Sequence, residues 1–545
     1  MHRNIVIGPP GTGKTTYLKN KVQELLKSGA CRSQEIGYFS FTVKAAEEIR
    51  DRIVADFEEK YTAETVKIAF PYFSTLHSLA YKRLRLRPDQ IMDESDYEAL
   101  SKLTSHEYVN KMRKGNGVDI SMPTAKSEYQ DIINLAYAKY PDKENRLDLV
   151  FRETKLNNYG ARKMIEQMEM DLRKFKQDRG KFEYVDYFTE FLKKNNPPQL
   201  KYLFIDEAQD LSAQQWKVVD MIQKQSGALE TYVAGDDDQA IFRWAGADIE
   251  HFIDMAHPDS KNTIIPLTQS YRIPPEVHYL ATKLANSISK RIPKQYLPTD
   301  HTGKRQIHTV RSLNQGLAHG EWLILCRTHE IVKQVCESLE TYGWLYKRYG
   351  QSVISFNYIE AIRAWTSLQN GNSISGVQCD VIYKHMDSTR IKRNYGVFKG
   401  QPDGSFNLET LIADFGLRDY IKLSIDKEVS VKEIAWYDML NSKGLQKRIN
   451  YLRAVMRSGN KLDSTPRIEV STIHASKGGE RQKVMLLTDL SYGPYSSYTD
   501  SQQGRDDEAR VFYVGATRAK EELHIVHRTE GQFEYEPIFH YERTI

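Results

Sequence analysis

Cysteine is scarce in this chain. Its four thiols, Cys31, Cys326, Cys336 and Cys379, are scattered through 545 residues and no two form a CxxC pair. That spacing excludes a disulfide framework and a thiolate zinc site, and it fits reduced thiols in a cytosol. Long apolar runs are missing too, so no segment reads as a bilayer-crossing helix. The opening MHRNIVIGPPG holds an apolar stretch one strand long before Gly and Pro stop it, unlike a secretory leader. Together these absences predict a soluble, intracellular protein with no membrane partner. Charge of one sign is also lacking: 77 Lys and Arg against 72 Asp and Glu leave +5, which permits a nucleic-acid partner without demanding one. No internal repeat or low-complexity tract is visible. What the chain does have is length enough for several domains. It also carries 33 Tyr and 20 Phe, most of which core packing would use.

The first chemistry lies near the start, in NIVIGPPGTGKTTYLKNKVQELLK. A β-rich run, Ile5 to Ile7, leads into Gly8-Pro9-Pro10-Gly11-Thr12-Gly13-Lys14-Thr15-Thr16. Leu18, Val22, Leu25 and Leu26 then follow at helical spacing. Strand, glycine-rich loop and helix make a phosphate-binding loop. Backbone N–H groups converge on phosphate oxygens at a helix N-terminus. Lys14 is expected to reach the β- and γ-phosphates, and the Thr15 hydroxyl to ligate Mg²⁺. A glycine-rich turn can meet the pattern by chance, but not with both flanking elements in place.

KYLFIDEAQD, residues 201 to 210, predicts a strand over Tyr202 to Ile205 that delivers Asp206 and Glu207 at its carboxyl end, where ligands of α/β sheets sit. Asp206 is placed to hold Mg²⁺ and Glu207 to act as general base on an attacking water. Taken with the phosphate loop, the pair points to ATP or GTP hydrolysis. VAGDDDQAIFRWAGAD adds three adjacent carboxylates, Asp236 to Asp238, which need water or a cation beside them. Phe242 and Trp244, two apart, would face the same way in an extended segment.

Further segments carry Tyr271 and Arg272 (QSYR), Thr472, His474, Lys477 and Glu480 (TIHASKGGER), and Thr517 and Arg518 (YVGATRAK). Each arginine alone reads as a solvated surface residue. In order, with SFTVKAAEEIRDRI, STLHSLAYKRLR and LILCRT, these segments resemble the helicase motifs of superfamily 1, in its UvrD/Rep/PcrA branch. The resemblance covers both ends of the chain. It implies an α/β fold of two RecA-like P-loop NTPase lobes with parallel sheets, each interrupted by a mainly helical inserted domain. Lobe 1A would comprise residues 1–80 and 200–265, insertion 1B 81–199, lobe 2A 266–365 and 467–545, and a shortened insertion 2B 366–466.

For the site, the resemblance implies Tyr271 stacked on adenine and Glu480 on the ribose, with Arg272 and Arg518 as fingers on the γ-phosphate. Gln239 would sense that phosphate, and Asp236 to Asp238 would face the Mg²⁺ side of the cleft. Phe41, His77, Phe242, Trp244, Thr472, His474 and Lys477 would line the DNA strand. Implied cofactors are ATP and Mg²⁺. Implied partners are single-stranded and tailed duplex DNA, with replication or repair proteins beside them and a monomer or weak oligomer as the working state. The leading expectation is a DNA helicase moving 3′ to 5′. The alternatives are a translocase that strips proteins or serves a nuclease or defence partner, and a nucleotide-dependent binding switch.

The match departs from the family in several places. Only seven residues precede Gly8, so the family's adenine-reading glutamine motif is not found. Ala245 stands where the family has an arginine, with Arg243 one place before Trp244. GGER replaces Gly-Leu-Glu-Phe but keeps the Glu, at position 480. The short tail resembles phage-encoded helicases, whose place is the host cytoplasm.

Overall fold

The structure is a computed structural model. It describes residues 2–57, 62, 65–109, 128–154, 156–300, 307–311, 313, 317, 319–395, 397–424, 427–440, 446–462, 464–528, 531 and 533–539. By density of internal contacts the chain divides into two units. The first holds Met1–Val310, Lys477–Gln482 and Thr488–Ile545, and the second Arg311–Ser476 and Lys483–Leu487.

The first unit is built on a six-stranded sheet in the order β3-β2-β4-β5-β1-β6. Its strands are β1 (Asn4–Ile7), β2 (Ile36–Phe39), β3 (Phe73–Ser74), β4 (Tyr202–Ile205), β5 (Glu230–Gly235) and β6 (Thr263–Pro266). Every pairing is parallel. A parallel sheet needs both faces covered, and the sequence alternation supplies two cores. Ile5, Ile7, Leu203, Ile205 and Val233 pack on one side with Trp216 and Phe252. Val6, Phe204 and Ala234 pack on the other with Leu18 and Val22 of helix α1 (Lys14–Lys27) and with Ile49 and Ile53.

Between β3 and β4 the described residues are mainly helical, from Leu76–Leu84 through the 21-residue Tyr159–Arg179 to Asp186–Lys194. Met92, Tyr97, Leu100, Ile133, Phe151, Ile165 and Leu172 form a separate core there. Later in the same unit, strand β7 (Ile307–Val310) pairs in parallel with strand Ala519–Val526.

The second unit has its own parallel set. Strand Ile468–Thr472 pairs with Trp322–Cys326 and with Tyr346–Arg348, and Trp322–Cys326 pairs in turn with residues 483–486. The unit also holds helices Phe356–Gln369 and Gly376–His385 and two small antiparallel strand pairs. All four cysteines are buried thiols. Among the described residues no helix is long and apolar enough to cross a membrane.

Candidate nucleotide site

The carboxyl ends of β1, β4 and β5 open on one crevice of the first unit, and each delivers a chemical group to it. The loop after β1 has Gly11 at φ 76° and Gly13 at φ 85°, left-handed conformations that favour glycine. A Cβ on Gly11 would also lie 2.5 Å from Cβ of Arg272 and 2.7 Å from Oγ of Ser270, so the QSYR segment is packed directly on the loop. Hydrogen bonds fix that contact. Tyr271 N donates to Gly11 O (2.9 Å), and Ser270 Oγ and Tyr296 OH donate to Pro10 O (3.0 and 3.1 Å). Thr12 Oγ1 donates to Pro9 O at 2.8 Å, and Thr16 is exposed. The Lys14 ammonium is buried and bonded to Gly8 O at 2.6 Å. Desolvation lowers its pKa against the pull of Asp236, Glu207 and Asp206.

At the end of β4, Asp206 accepts from Thr15 Oγ1 (2.8 Å) and from Tyr38 OH (2.9 Å). Burial, and then Glu207 beside it, raise its pKa. A buried carboxylate touching a hydroxyl is an all-oxygen donor set of the hard kind that Mg²⁺ prefers, so Asp206 and Thr15 fit that ion. Glu207 occupies the left-handed region at φ 55°, unusual for a residue with a Cβ. Its desolvation is outweighed by Lys477 and Lys14, which hold the carboxyl below the usual range. Gln209 Nε2 donates to it at 2.7 Å.

At the end of β5 the structure answers the question raised by three adjacent aspartates. Asp236, Asp237 and Asp238 are all buried, and their cation is an ammonium. Lys294, 4% exposed, lies 2.8 Å from Asp236 Oδ1 and 2.8 Å from Asp238 Oδ2, and it also bonds Asp237. Arg291 grips Asp238 with two bonds (2.9 and 2.6 Å), and Ile292 N donates to Asp237. The trio is therefore matched by protein cations, which supply the positive charge that three adjacent carboxylates need. Desolvation works against Asp236, but Lys294 and Lys14 outweigh it and lower its pKa. Asp237 is raised, by burial first. Sequence reasoning missed Lys294 and Arg291. The signal was present, since three consecutive carboxylates require positive charge from somewhere.

Gln239 stands where several groups meet. Its Nε2 donates to Asp236 Oδ2 (2.8 Å), and its Oε1 accepts from Arg518 Nη2 (3.2 Å). Its main-chain oxygen accepts from Lys477 Nζ (2.7 Å). Arg518, 1% exposed, also donates to Val514 O and Gly479 O. Burial, then Arg272, bring its pKa down to about 10, which leaves it charged at neutral pH. Arg272 pairs with Glu480 at 2.5 Å, and Glu480 also meets Lys520 at 3.1 Å. Tyr271 is 78% exposed between buried Ser270 and Ile273, an open aromatic face beside the loop.

The residues expected along a DNA strand fall into two groups. Lys477 turns inward: besides Gln239 it bonds Asp210 Oδ2 at 2.5 Å and lies 5.3 Å from the Phe242 ring centre. Burial drives Asp210 up to about 7 in spite of that lysine. Phe242 is buried and stacked on half-buried Phe41 at 5.1 Å. A turn of 3-10 helix at Arg243–Ala245 replaces the extended segment anticipated there, so the Phe242 and Trp244 rings are tilted by 57° at 6.4 Å. Trp244 is half-buried, and Arg243 faces Asp507 at 3.9 Å. His77 stacks on Tyr184 at 3.5 Å, and desolvation lowers its pKa well below the ordinary value. Thr472 and His474 lie buried in the second unit, where Thr472 Oγ1 accepts from Ala475 N.

Comparison with known proteins agrees with this assembly. The UvrD/REP helicase N-terminal domain matches residues 2–259, and the UvrD-like helicase C-terminal domain matches residues 467–526. A probable DNA helicase II homolog of Mycoplasma pneumoniae is 22% identical over 623 residues, spanning 98% of this chain and 84% of the relative. The ATP-dependent DNA helicase PcrA of Staphylococcus aureus (strain Mu50) is 21% identical, spanning 96% of this chain and 81% of the relative. PcrA of Leuconostoc citreum is 24% identical over 368 residues, spanning 62% of this chain and 46% of that relative. With a phosphate loop, paired acids and two arginines gathered at the end of one parallel sheet, the chain belongs to the UvrD/Rep helicase family.

Proposed function

We propose that this enzyme hydrolyses ATP to move 3′ to 5′ along single-stranded DNA and to separate duplex ahead of it. The observation that carries this reading is the position of Gln239. Its side chain meets Arg518 on the phosphate side, while its main chain meets Lys477, whose ammonium lies over Phe242. One residue thereby joins a guanidinium that answers to nucleotide with a group of aromatic rings suited to bases.

In the chemistry proposed, the loop N–H groups and Lys14 bind the triphosphate, and Tyr271 stacks on the adenine. Thr15 and Asp206 hold Mg²⁺, which would neutralise phosphate charge when bound. Glu207, kept ionised by Lys477 and Lys14, orients the attacking water and accepts its proton. Arg272 and Arg518 take up negative charge that develops on the γ-phosphate, a contribution worth about 10³–10⁵ in rate where such fingers have been removed. Arg272 must then exchange Glu480 for phosphate, which frees Glu480 for the ribose. Trp244 and Phe41 offer faces to bases, with buried Phe242 stacked behind Phe41 as support, at about 1–3 kcal/mol per stacked base and without sequence preference. We also assign His77 of the first unit to the strand, and Thr472 and His474 of the second, each within its own unit. We assign residues 1–80 with 200–265 and 266–365 with 467–545 to the two lobes, and 81–199 and 366–466 to the insertions.

The test is ATP turnover with and without single-stranded DNA, followed by strand displacement on duplexes with either a 3′ or a 5′ tail. Stimulation by DNA and displacement only with 3′ tails are expected. Turnover indifferent to DNA would leave a nucleotide switch, and displacement from 5′ tails would reverse the polarity.

A further inference from the structure

Two groups of side chains among the described residues have the spacing of metal ligands. One is the aspartate trio, already filled by Lys294. The other is His308, Glu522 and His524, none of which has a role in the nucleotide or strand chemistry assigned above.

The backbone brings these three together. β7 and strand Ala519–Val526 run parallel, with His524 directly opposite His308 in register. Strand side chains alternate between faces, so Glu522 and His524, two apart, share a face, and His308 shares it across the pair. The imidazole centres are 4.6 Å apart at 28°. His524 Nε2 lies 3.2 Å from Glu522 Oε2, and one ligand atom from each residue falls within 4.8 Å of the other two. A tetrahedral zinc with bonds of about 2.1 Å sets its donors about 3.4 Å apart. The His524–Glu522 edge is already at that length, and rotation of the His308 side chain closes the remaining edges. The donors stand on paired strands, so no loop has to be ordered to complete the site. His524 is buried, while the Glu522 side chain is 31% exposed, which leaves an approach for an ion from solvent.

We propose that His308, Glu522 and His524 form a binding site for a divalent transition metal, with zinc the best-matched ion and water in the fourth position. Two imidazoles and a carboxylate favour Zn²⁺ and its first-row neighbours over Mg²⁺ or Ca²⁺, which prefer all-oxygen shells. The ion takes the place of the hydrogen joining His524 to Glu522, and that proton passes to solvent. The site would fasten β7, at the end of its sheet, to the strand that begins immediately after Arg518.

The experiment uses the full chain, stripped with a chelator and kept free of nucleotide and Mg²⁺. It is titrated with Co²⁺ as a coloured probe and then with Zn²⁺. One Co²⁺ per chain with a visible ligand-field band, displaced by one Zn²⁺, is expected, together with a rise in melting temperature. His308→Ala and Glu522→Gln should each weaken Zn²⁺ binding at least tenfold, while His257→Ala, at an exposed residue, should leave it unchanged. Circular dichroism and ATP turnover with Mg²⁺ but no added Zn²⁺ report whether each variant is folded, and Glu522→Gln decides the matter should His308→Ala not fold. Zinc affinity unchanged in a folded variant, or the absence of any stoichiometric Co²⁺ band, would overturn the proposal.

Discussion

Replacing Lys294 with methionine tests the reading of the aspartate trio directly. The substitution keeps the length of the side chain and removes one ammonium that is 4% exposed and touches three carboxylates. Arg291 still holds Asp238, so the loss falls on Asp236 and Asp237, each fully buried. At this depth water screens little, and breaking a buried pair by removing one partner costs about 3–5 kcal/mol. The deficit has a characteristic pH dependence. In the parent, Asp236 has a lowered pKa, so its contribution is present above the ordinary carboxylate range and is lost only as pH falls through that depressed value. Between pH 8 and 5.5 that contribution is therefore constant. Without Lys294 the depression of Asp236 should be lost and Asp237, already raised in the parent, should rise further. They bind protons as pH falls, and the penalty of burying their charge is relieved. Urea unfolding of parent and variant at pH 8 and pH 5.5 should show the variant weaker by several kcal/mol at pH 8 and closer to the parent in acid. A variant as stable as the parent at pH 8, or a deficit of equal size at both pH values, would refute the cluster.

Three further substitutions probe the nucleotide and DNA sides. Arg518→Ala should lower kcat by about 10³–10⁵ with modest loss of nucleotide affinity, and Arg518→Lys should restore little, because the guanidinium fork meets Val514, Gly479 and Gln239 at once. An unaffected kcat would remove Arg518 from the phosphate site. Tyr271→Ala should raise KM for ATP about tenfold, the scale of one aromatic stack, with an unchanged melting temperature because the ring is exposed. A KM equal to the parent's would dismiss the adenine contact. Trp244→Ala should reduce DNA-stimulated turnover far more than basal turnover. Equal losses in both would mark the tryptophan as a packing residue.

Local pattern made much of this molecule legible. Ile5 to Ile7 and Tyr202 to Ile205 read as strands, and the structure has them at Asn4–Ile7 and Tyr202–Ile205. Gly11 and Gly13 read as loop glycines, and both take left-handed conformations. What escaped was long-range. Three carboxylates announce a missing cation, but not whether it is an ion or an ammonium more than fifty residues along the chain, in a segment that by itself reads as solvated surface. Spacing suggested that Phe242 and Trp244 would face the same way in an extended segment, but the segment forms a turn at Arg243–Ala245. The resemblance put Lys477 along the DNA strand, yet buried Asp210 and the main chain of Gln239 bond its ammonium. Neither partner is adjacent to Lys477 in sequence. The αL backbone of Glu207 leaves no trace in composition at all.

The pinning of residues 236 to 238 has a mechanical consequence. If Arg518 moves with nucleotide as proposed, a segment bolted down at three successive positions leaves little slack to absorb its push on Gln239. The motion would then pass to the bulky rings a few residues downstream, the far arm of a lever with a fixed fulcrum. Stiffness at that point would make each hydrolytic cycle yield a stroke of reproducible size.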